Sequence, residues 1–470
     1  MPEPNHLLRA ARERLPSACV PGDYASRAEV AEAVNAWLWE NTGKRYELDA
    51  HYLAKLERGV ARWPGAAYRS GLRYVLGAAD DTALGFVPPR RAKTAPLPPS
   101  AETPGSWRTG ALIQRATAMT QHDLMPPTRR TVLAGTALLA GHTLAAELRP
   151  LLWPVAADPI YGGSAFTPPE LEATAQLVGE LRVWRSRSSA LSRAAVVAQL
   201  GAHTEHLRHA PQGTPETLRA FRLGAELAEI AASMAWDAAE HAPAQRYYTL
   251  AAQLAHAAGD DNLAAVALAA LARQCYDLGR PADGLEMTQL AQYGTRRSAT
   301  PRLRAVLATR EAWAYACHGD ARAFRRAVGL AEDHHAEGVR DADAGTPTAR
   351  SLDDAELAGV IGARYRDLAR FDAQHARTAQ DYIGRALALR HPSRARNRAF
   401  DLIGLARTHL ITREPDRAAE LIGKAVPLAG NWASGRVGVK LRDFHEEAAP
   451  FARTPVVREA REAIADLFAA

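Results

Sequence analysis

The spacing of apolar residues between positions 48 and 77 predicts two short helices joined by a turn. Leu53 and Leu56 lie three residues apart, which places them on one face of the first helix. Asp49 is a suitable N-cap residue for this helix, and Gly59 supplies the turn that follows it. After Trp63-Pro64 the pattern predicts a further amphipathic helix over residues 64 to 76, whose apolar positions are Tyr68, Leu72, Val75 and Leu76.

Two more helices are predicted ahead of this segment, and the four helices together form a first domain over residues 1 to 87. The first of them covers residues 7 to 15. The second begins after Ser26, because Ser26 and Glu29 have the spacing of a capping box, in which each side chain accepts a hydrogen bond from the other residue's backbone. An extended connection over residues 41 to 48 then leads to the third helix.

The composition changes after the first domain. Residues 88 to 106 are rich in proline and small polar residues, which predicts a semi-extended linker. Residues 107 to 164 are assigned to connecting helices. Within them, the apolar run at residues 129 to 146 is shorter than the ~20 residues that a membrane-spanning helix needs, and His142 interrupts it. This run is expected to be a buried or connecting helix, with contact to a membrane surface as the alternative.

Residues 165 to 470 form a series of paired amphipathic helices. Trp236, Tyr276 and Tyr315 recur at equivalent places in these pairs, which gives a repeat of about 40 residues. One pair cannot bury its apolar face alone, so stacked pairs are expected to share one continuous core. Further helical stretches are predicted at residues 356 to 390, 400 to 429 and 455 to 469.

The composition agrees with a globular helical protein. Apolar residues make up 47% of the chain and charged residues 23%, which is ordinary for a folded protein. The high alanine content favours helices. The three cysteines, Cys19, Cys275 and Cys317, are far apart and form no CxxC motif, so we expect no disulfide framework and a cytoplasmic location. The net charge of +6 permits contact with an anionic polymer but does not require it.

The sequence contains no motif that predicts catalysis. It lacks GxGxxG, GxxxxGK[ST], GxSxG and HExxH. Two histidine groups, His203/His206/His209 and His334/His335, have spacings that point the side chains in different directions on a helix, so we expect them on the solvated surface rather than around a metal ion. We therefore predict that the chain is not an enzyme and holds no cofactor or metal.

Two families resemble parts of this sequence. The succession of a short helix, Leu-Glu-Arg-Gly, proline, an amphipathic helix and Leu-Gly between residues 48 and 77 resembles the XRE (phage-repressor-like) helix-turn-helix regulators. The later helical pairs resemble tetratricopeptide (TPR) repeats. Their small residues match the repeat at Ala232, Ala272 and Ala312 in the first helices and at Ala251, Ala291 and Ala331 in the second helices.

The combination is similar to peptide-sensing helix-turn-helix–TPR regulators and to actinobacterial TPR regulators. It implies an all-α fold with an N-terminal helix-turn-helix domain over residues 1 to 87, followed by a C-terminal TPR-like α-solenoid of helical hairpins over residues 165 to 470. It also implies a cytoplasmic homodimer that binds double-stranded DNA and does not contact a membrane.

The resemblance places the third helix in the DNA major groove. The base-reading residues it implies are His51, Tyr52 and Lys55, and those that meet phosphates are Arg58, Arg62, Lys44 and Arg45. Tyr52 is equally suited to packing. Glu57 and Arg58 are expected to close the helix through a local ion pair, and Trp63 to be a core or hinge aromatic. The connection at residues 41 to 48 is longer than the tight turn of the family, which leaves the individual base contacts open.

The solenoid is expected to form a groove lined by the first helix of each pair. Aligned repeats place six residues there: Glu229, Ser233, Trp236, Arg273, Tyr276 and Trp313. An arginine can bind a carboxylate and aromatic rings can form an apolar floor, so the groove is predicted to take a peptide, a small molecule or a partner protein. Ordinary packing between repeats is the alternative for these residues.

These features predict a sequence-specific DNA-binding transcriptional regulator that is controlled through its solenoid. Residues 1 to 93 carry 14 Lys/Arg and 11 Asp/Glu, which is a small surplus for a DNA-binding domain. The alternative is therefore a TPR scaffold or adaptor whose N-terminal helices dock a protein rather than DNA.

Overall fold

The computed structural model describes most of the chain, in ranges separated by gaps. These ranges are 4–17, 19–20, 22–42, 45–78, 80–86, 108–125, 138–152, 165–187, 192–341, 346–429 and 435–469. Within them the secondary structure is helical, and the chain divides into two compact units, Met1–Ser100 and Ala101–Ala470. The prediction of an all-α fold with repeated helical hairpins is confirmed. The predicted linker over residues 88 to 106 lies outside the described residues.

The first unit contains α1 (His6–Glu13), α2 (Arg27–Thr42), α3 (Ala50–Glu57) and α4 (Ala66–Val75). They surround a small apolar core that is closed by the segment after α4. Its fully buried side chains are Leu8, Val30, Val34, Leu53, Leu56, Leu72, Leu84 and Phe86. The helices therefore use the apolar positions that the sequence pattern assigned to them.

Local signals set the helix ends of this unit. The backbone N–H of Ser26 donates to Glu29 Oε2 at 2.7 Å and that of Glu29 donates to Ser26 Oγ at 3.2 Å, so the predicted capping box is present. Asp49 caps α3 by accepting from the Tyr52 N–H at 2.6 Å. Gly59 has a φ of +72°, a left-handed conformation that a side chain would disfavour, and it turns the chain after α3.

Two predicted boundaries are wrong. The first helix ends at Glu13 rather than at residue 15, because the Leu15 carbonyl accepts from the Ala25 N–H at 2.7 Å and belongs to the following loop. The fourth helix begins at Ala66 rather than at residue 64, because Gly65 is extended, with a ψ of 153°, and forms its N-cap.

The long connection between α2 and α3 is held by one side chain. Asn35 of α2 donates its amide to the Leu48 carbonyl at 2.9 Å and accepts from the Leu48 N–H at 2.9 Å. This pair of hydrogen bonds imitates a backbone pairing and fixes the chain just before the Asp49 cap. The described end of this connection, at Leu48, is thus bonded to α2.

The expected local ion pair between Glu57 and Arg58 is also wrong. Glu57 follows Leu53 and Leu56 at helical spacing, so it shares their inward face and is buried. Its carboxylate accepts from Arg12 Nε at 2.6 Å and pairs with Arg27 Nη2 at 2.7 Å. Arg58 instead donates its Nε to the Ala54 carbonyl at 3.2 Å. Glu57 therefore links α3 to the start of the domain.

The second unit begins with helices that cover one end of the repeat array. They are α5 (Thr109–Leu124), α6 (His142–Leu148), α7 (Pro168–Arg187) and α8 (Arg193–His209), and α5 packs on α8. Of the apolar run at residues 129 to 146, residues 129–137 lie outside the described residues. Its last residues, 142–146, belong to α6, where Leu144 and Leu148 are fully buried. None of the helices in the described ranges has both the length and the apolar character to cross a membrane.

Helical hairpins follow in chain order. They are α9 (Pro215–Asp237) with α10 (His241–Ala257), α11 (Asp261–Asp277) with α12 (Pro281–Gly294), α13 (Pro301–His318) with α14 (Ala321–Arg340), α16 (Asp354–Leu368) with α17 (His375–Leu389) and α18 (Ala395–Ile411) with α19 (Pro415–Ala429). A single turn, α15 (Pro347–Arg350), precedes the fourth pair, and α20 (Arg436–Glu447) and α21 (Pro455–Ala469) end the array. The sequence pattern did not predict α20.

The core of the array differs from the expected single cluster. One set of buried apolar residues runs from Leu112 to Ala379, and a separate set runs from Ala399 to Ile464. Between them, Arg390 and Asp401 are buried and bonded to each other, with Arg390 Nε 2.6 Å from Asp401 Oδ2. This ion pair lies at the boundary between the two sets, and α17 contacts both of them, through Ala379 on one side and Leu387 on the other.

The expectation of solvated histidines is wrong for His203 and His335. His203 shares a helix face with Leu200 and Leu207, is buried, and has its Nε2 2.7 Å from the Ala220 carbonyl. Burial lowers the pKa of His203. His335 is also buried, with its Nε2 2.7 Å from Asp354 Oδ1. Both histidines are structural links between neighbouring helices.

Replacing Glu57 by alanine should destabilise the first unit by roughly 3–5 kcal/mol, because Arg12 would remain buried without its carboxylate. Replacing Arg58 by alanine should change stability by less than about 0.5 kcal/mol, because Arg58 is exposed. Hydrogen exchange of peptides from α1 to α3 in the full-length protein would measure both effects. Equal loss of protection in the two variants would contradict the tertiary role of Glu57.

Candidate functional site

The outward side of α3 in the first unit is basic. His51 and Arg58 are exposed, and Lys55 is partly exposed. The only carboxylate within α3 is that of Glu57, which points inward and is bonded to two arginines. No acidic side chain of α3 itself therefore offsets its outward cations, and Arg45 and Arg62 add exposed positive charge at either side. The predicted phosphate contact Lys44 lies outside the described residues.

Tyr52 is held by aromatic packing. Its ring centroid is 6.0 Å from that of Tyr68 in α4, and Tyr68 also lies 5.9 Å from Tyr46 in the connection before α3. The three rings join α3, α4 and the connection into one body. Tyr52 is partly exposed, so its ring supports α3 while one edge remains accessible.

Trp63 fixes the turn between α3 and α4. The Arg69 guanidinium lies 3.9 Å from the centroid of the Trp63 ring and also donates to the Pro64 carbonyl at 2.7 Å. Arg69 pairs with Asp81 at 2.9 Å as well. These contacts orient the segment that carries Arg62, and Trp63 packs as a hinge aromatic.

In the second unit, four of the six predicted groove residues come together. The Arg273 guanidinium lies 4.9 Å from the Trp236 ring centroid, and the Tyr276 and Trp313 centroids are 5.0 Å apart. The Arg364 guanidinium lies over the Trp313 ring, 3.4 Å from its centroid. We call Trp236, Arg273, Tyr276, Trp313 and Arg364 the groove row. It runs across α9, α11, α13 and α16, the first helices of successive pairs.

The other two predicted groove residues are engaged elsewhere. Glu229 faces α7, with its carboxylate 3.7 Å from Arg182 Nη2. The Ser233 hydroxyl donates to the Ile230 carbonyl of its own helix at 3.0 Å. Both are buried, so they stabilise packing near α9 rather than present free polar groups.

Tyr276 is fixed within its own hairpin. Its ring lies so close to Gly284 of α12 that a Cβ at that position would be 2.3 Å from it. Its hydroxyl oxygen is 3.2 Å from Thr288 Oγ1. Only glycine leaves room for this ring, and Tyr276 then offers its face to Trp313.

Ion pairs join the two ends of the hairpin array. Arg436 of α20 pairs with Asp277 of α11 at 3.3 Å, and its guanidinium lies 3.7 Å from the Trp236 ring centroid. Arg396 of α18 donates to Asp237 of α9 at 2.9 Å. We call Arg436–Asp277 and Arg396–Asp237 the closing ion pairs. They connect residues 159 positions apart, so the array curves until its last helices meet its first hairpins.

The charges around Asp277 explain its titration. Burial alone raises the pKa of Asp277, but the charges of Arg436 and Lys440 outweigh burial and hold this pKa below its ordinary value. The carboxylate is therefore ionised in the folded protein at neutral pH.

A second group of buried charges lies further along the first helices. Arg390 binds two carboxylates, that of Glu356 at 2.9 Å and that of Asp401 at 2.6 Å. Burial raises the pKa of Asp401 to about 7, while the Arg390 charge keeps the pKa of Glu356 low against its own burial. One guanidinium thus binds one carboxylate whose pKa is held low and a second whose pKa is raised by burial.

Sequence reasoning missed most of these charged residues. Asp237 and Asp277 each follow an aromatic residue at the end of a first helix, at the spacing of the repeat, and this recurrence was the available signal. Nothing in the sequence pattern pairs Arg436 or Arg396 with those aspartates, because the pairing depends on the curvature of the whole array.

Within the described ranges, no group of three or more potential ligands is placed to bind a metal ion. No family model and no curated protein matches the chain. The function is therefore argued from the basic side of α3 and from the groove.

A double-mutant cycle of Asp277→Asn and Arg436→Met should give an interaction free energy of about 1–3 kcal/mol between these two residues at pH 7. The pKa of Asp277 is lowered on folding, so its stabilisation is present above the unfolded pKa and is lost as the pH falls below about 4. Chemical unfolding of the four proteins at several pH values measures this.

The exposed pair Glu205–Arg208, at 2.6 Å within α8, is the matched control and should show little coupling. Equal coupling in the two pairs would mean that the contact between the ends of the array stabilises the fold no more than an exposed ion pair does.

Proposed function

We propose that the protein is a sequence-specific DNA-binding transcriptional regulator of the XRE type, in which a TPR-like solenoid binds an effector and controls the N-terminal unit. The observation that carries this proposal is the outward side of α3. It presents His51, Lys55 and Arg58 with no competing carboxylate of that helix, since Glu57 is turned inward.

The arrangement suits duplex DNA because some of its side chains would contact base edges and others would contact backbone phosphates. Lys55 lies in the last turn of α3, the helix that would enter the major groove and reach base edges. Arg58 and Arg62 lie at the end of the helix and after it, where guanidinium groups meet backbone phosphates. The caps at Asp49 and Gly59 and the packing of Tyr52 and Trp63 keep this short helix rigid, which favours binding without further ordering.

The solenoid supports the regulatory half of the proposal. The groove row places aromatic faces and guanidinium groups side by side, which is a surface for a ligand with both apolar and anionic parts. The closing ion pairs make the curvature of the array depend on a few charged contacts. A ligand that favours one curvature would shift the population of that form. We also propose a homodimer, which would place two α3 helices on the two halves of a palindromic site.

Replacing Arg58 and Arg62 together by alanine should weaken binding to mixed-sequence duplex DNA. The slope of log affinity against log salt should fall by about 2, because each of the two arginines neutralises one phosphate. Fluorescence anisotropy with a labelled duplex at several salt concentrations measures both quantities in the full-length protein.

Replacing Arg296 and Arg297 together by alanine, which removes two exposed arginines of the second unit, is the control for net charge and should leave the slope unchanged. If the full-length protein bound no duplex at low salt, or if the Arg296/Arg297 variant changed the slope as much as the α3 variant, the first unit would be a protein-docking module and the chain a scaffold.

A further inference from the structure

Arg310 is an unusual residue in the second unit because it is buried and has no carboxylate partner among the described residues. It lies in α13 between Thr309 and Glu311, with 8% of its surface exposed. Its one hydrogen bond to a side chain runs from Nη1 to the Thr309 hydroxyl at 3.1 Å. A buried guanidinium normally has an anion or several acceptors around it, since taking its charge out of water is costly.

Arg273, on the preceding first helix, is partly exposed and also has no carboxylate partner among the described residues. The contact that holds its guanidinium is the face of the Trp236 ring at 4.9 Å, and the described part of the chain places no carboxylate within ion-pair distance of it. Burial lowers the pKa of Arg310, and the charges of Arg273 and Arg364 lower it further. Geometry places the three arginines on three successive first helices around shared aromatic rings: Trp313, three residues after Arg310 on α13, contacts both the Arg364 guanidinium and the Tyr276 ring, and Arg273 lies three residues before Tyr276.

The same region has buried N–H groups without acceptors. Within the part of the chain that the structure describes, the Nε of Arg310, the Nε of Arg364 and the indole Nε1 of Trp236 are buried and make no hydrogen bond. Such groups are rare in folded proteins, and a bound ion is one of the usual reasons for them.

The neighbouring carboxylates are already engaged. Asp277 binds Arg436 and Lys440, and Asp367 binds Arg364 and Arg366. Glu356 binds Arg390 and the Asn397 amide. These bonds leave Arg273 and Arg310 as surplus positive charge.

We propose that Arg273, Arg310 and Arg364 form a site for an oxyanion, the phosphate or carboxylate group of a small ligand that occupies the groove. Trp236 and Trp313 flank this site, so the rest of the ligand would lie against aromatic faces. Arg273 is partly exposed and gives the site its side of entry. This inference rests on the effector half of the proposed function, because it states the chemistry that the effector must carry.

The site can be tested with inorganic phosphate, and with acetate as the carboxylate probe, on the full-length protein without DNA. At constant ionic strength, we expect one of the two anions to raise the melting temperature in a saturable way relative to chloride, since a ligand that binds the folded state stabilises it. Isothermal titration would give the affinity, and the anion with the tighter binding identifies the group.

Arg310→Met should weaken that affinity about tenfold or more, because it removes charge-assisted hydrogen bonds to the anion. In chloride alone, Arg310→Met should melt at the same temperature as the wild type or higher, because it replaces an unpaired buried charge by an apolar side chain of similar length. Arg273→Met, at a more exposed position, is the second variant and should weaken anion binding without unfolding the chain. Arg297→Met is the matched control and should leave the affinity unchanged.

The proposal is overturned if neither anion stabilises the protein beyond chloride, or if the Arg310→Met and Arg273→Met variants keep the wild-type affinity. A lower melting temperature of Arg310→Met in chloride would also contradict it, because Arg310 would then be a satisfied structural residue. These measurements contain no DNA, so a negative result would contradict the anion site without bearing on DNA binding by the first unit. Conversely, the salt dependence of DNA binding does not test the anion site.

Discussion

The interaction on which this structure depends is the burial of arginine side chains, because a guanidinium group leaves water only where carboxylates, carbonyls or aromatic faces receive it. In the second unit this requirement sets the curvature of the array. Arg436 reaches Asp277 and the face of Trp236, and Arg396 reaches Asp237, so helices far apart in sequence are joined through a few charges. Where acceptors are missing, at Arg273 and Arg310, the same requirement points to a ligand.

In the first unit too, arginine side chains that leave water are received by a buried carboxylate. Glu57 turns inward to receive Arg12 and Arg27, and this removes the only acidic side chain of α3 from its outer surface. One buried contact thus stabilises the domain and keeps the Glu57 carboxylate away from the outward cations of α3. The small surplus of basic residues in the sequence underestimates this effect, because a net charge does not show which carboxylates are directed into the core.

Local features of the fold were predictable from sequence, and long-range ones were not. The Ser26–Glu29 capping box, the Asp49 cap and the Gly59 turn depend on residues within a few positions of one another, so the pattern alone located them. The repeat of about 40 residues also located Trp236, Arg273, Tyr276 and Trp313, which the structure joins in two contacting pairs on successive first helices. The partners of Glu57 and of Asp277 could not be predicted, because a carboxylate does not show in sequence which distant arginine the fold will bring to it.

The central claim is that α3 reads a DNA sequence, and selection of bound duplexes from a random-sequence library by the full-length protein tests it most directly. We predict enrichment of a shared motif, with Lys55→Ala relaxing the preference at one position of each half-site while the remaining positions are kept. Recovery of duplexes without any common motif, by the wild type and by Lys55→Ala alike, would contradict sequence recognition by α3.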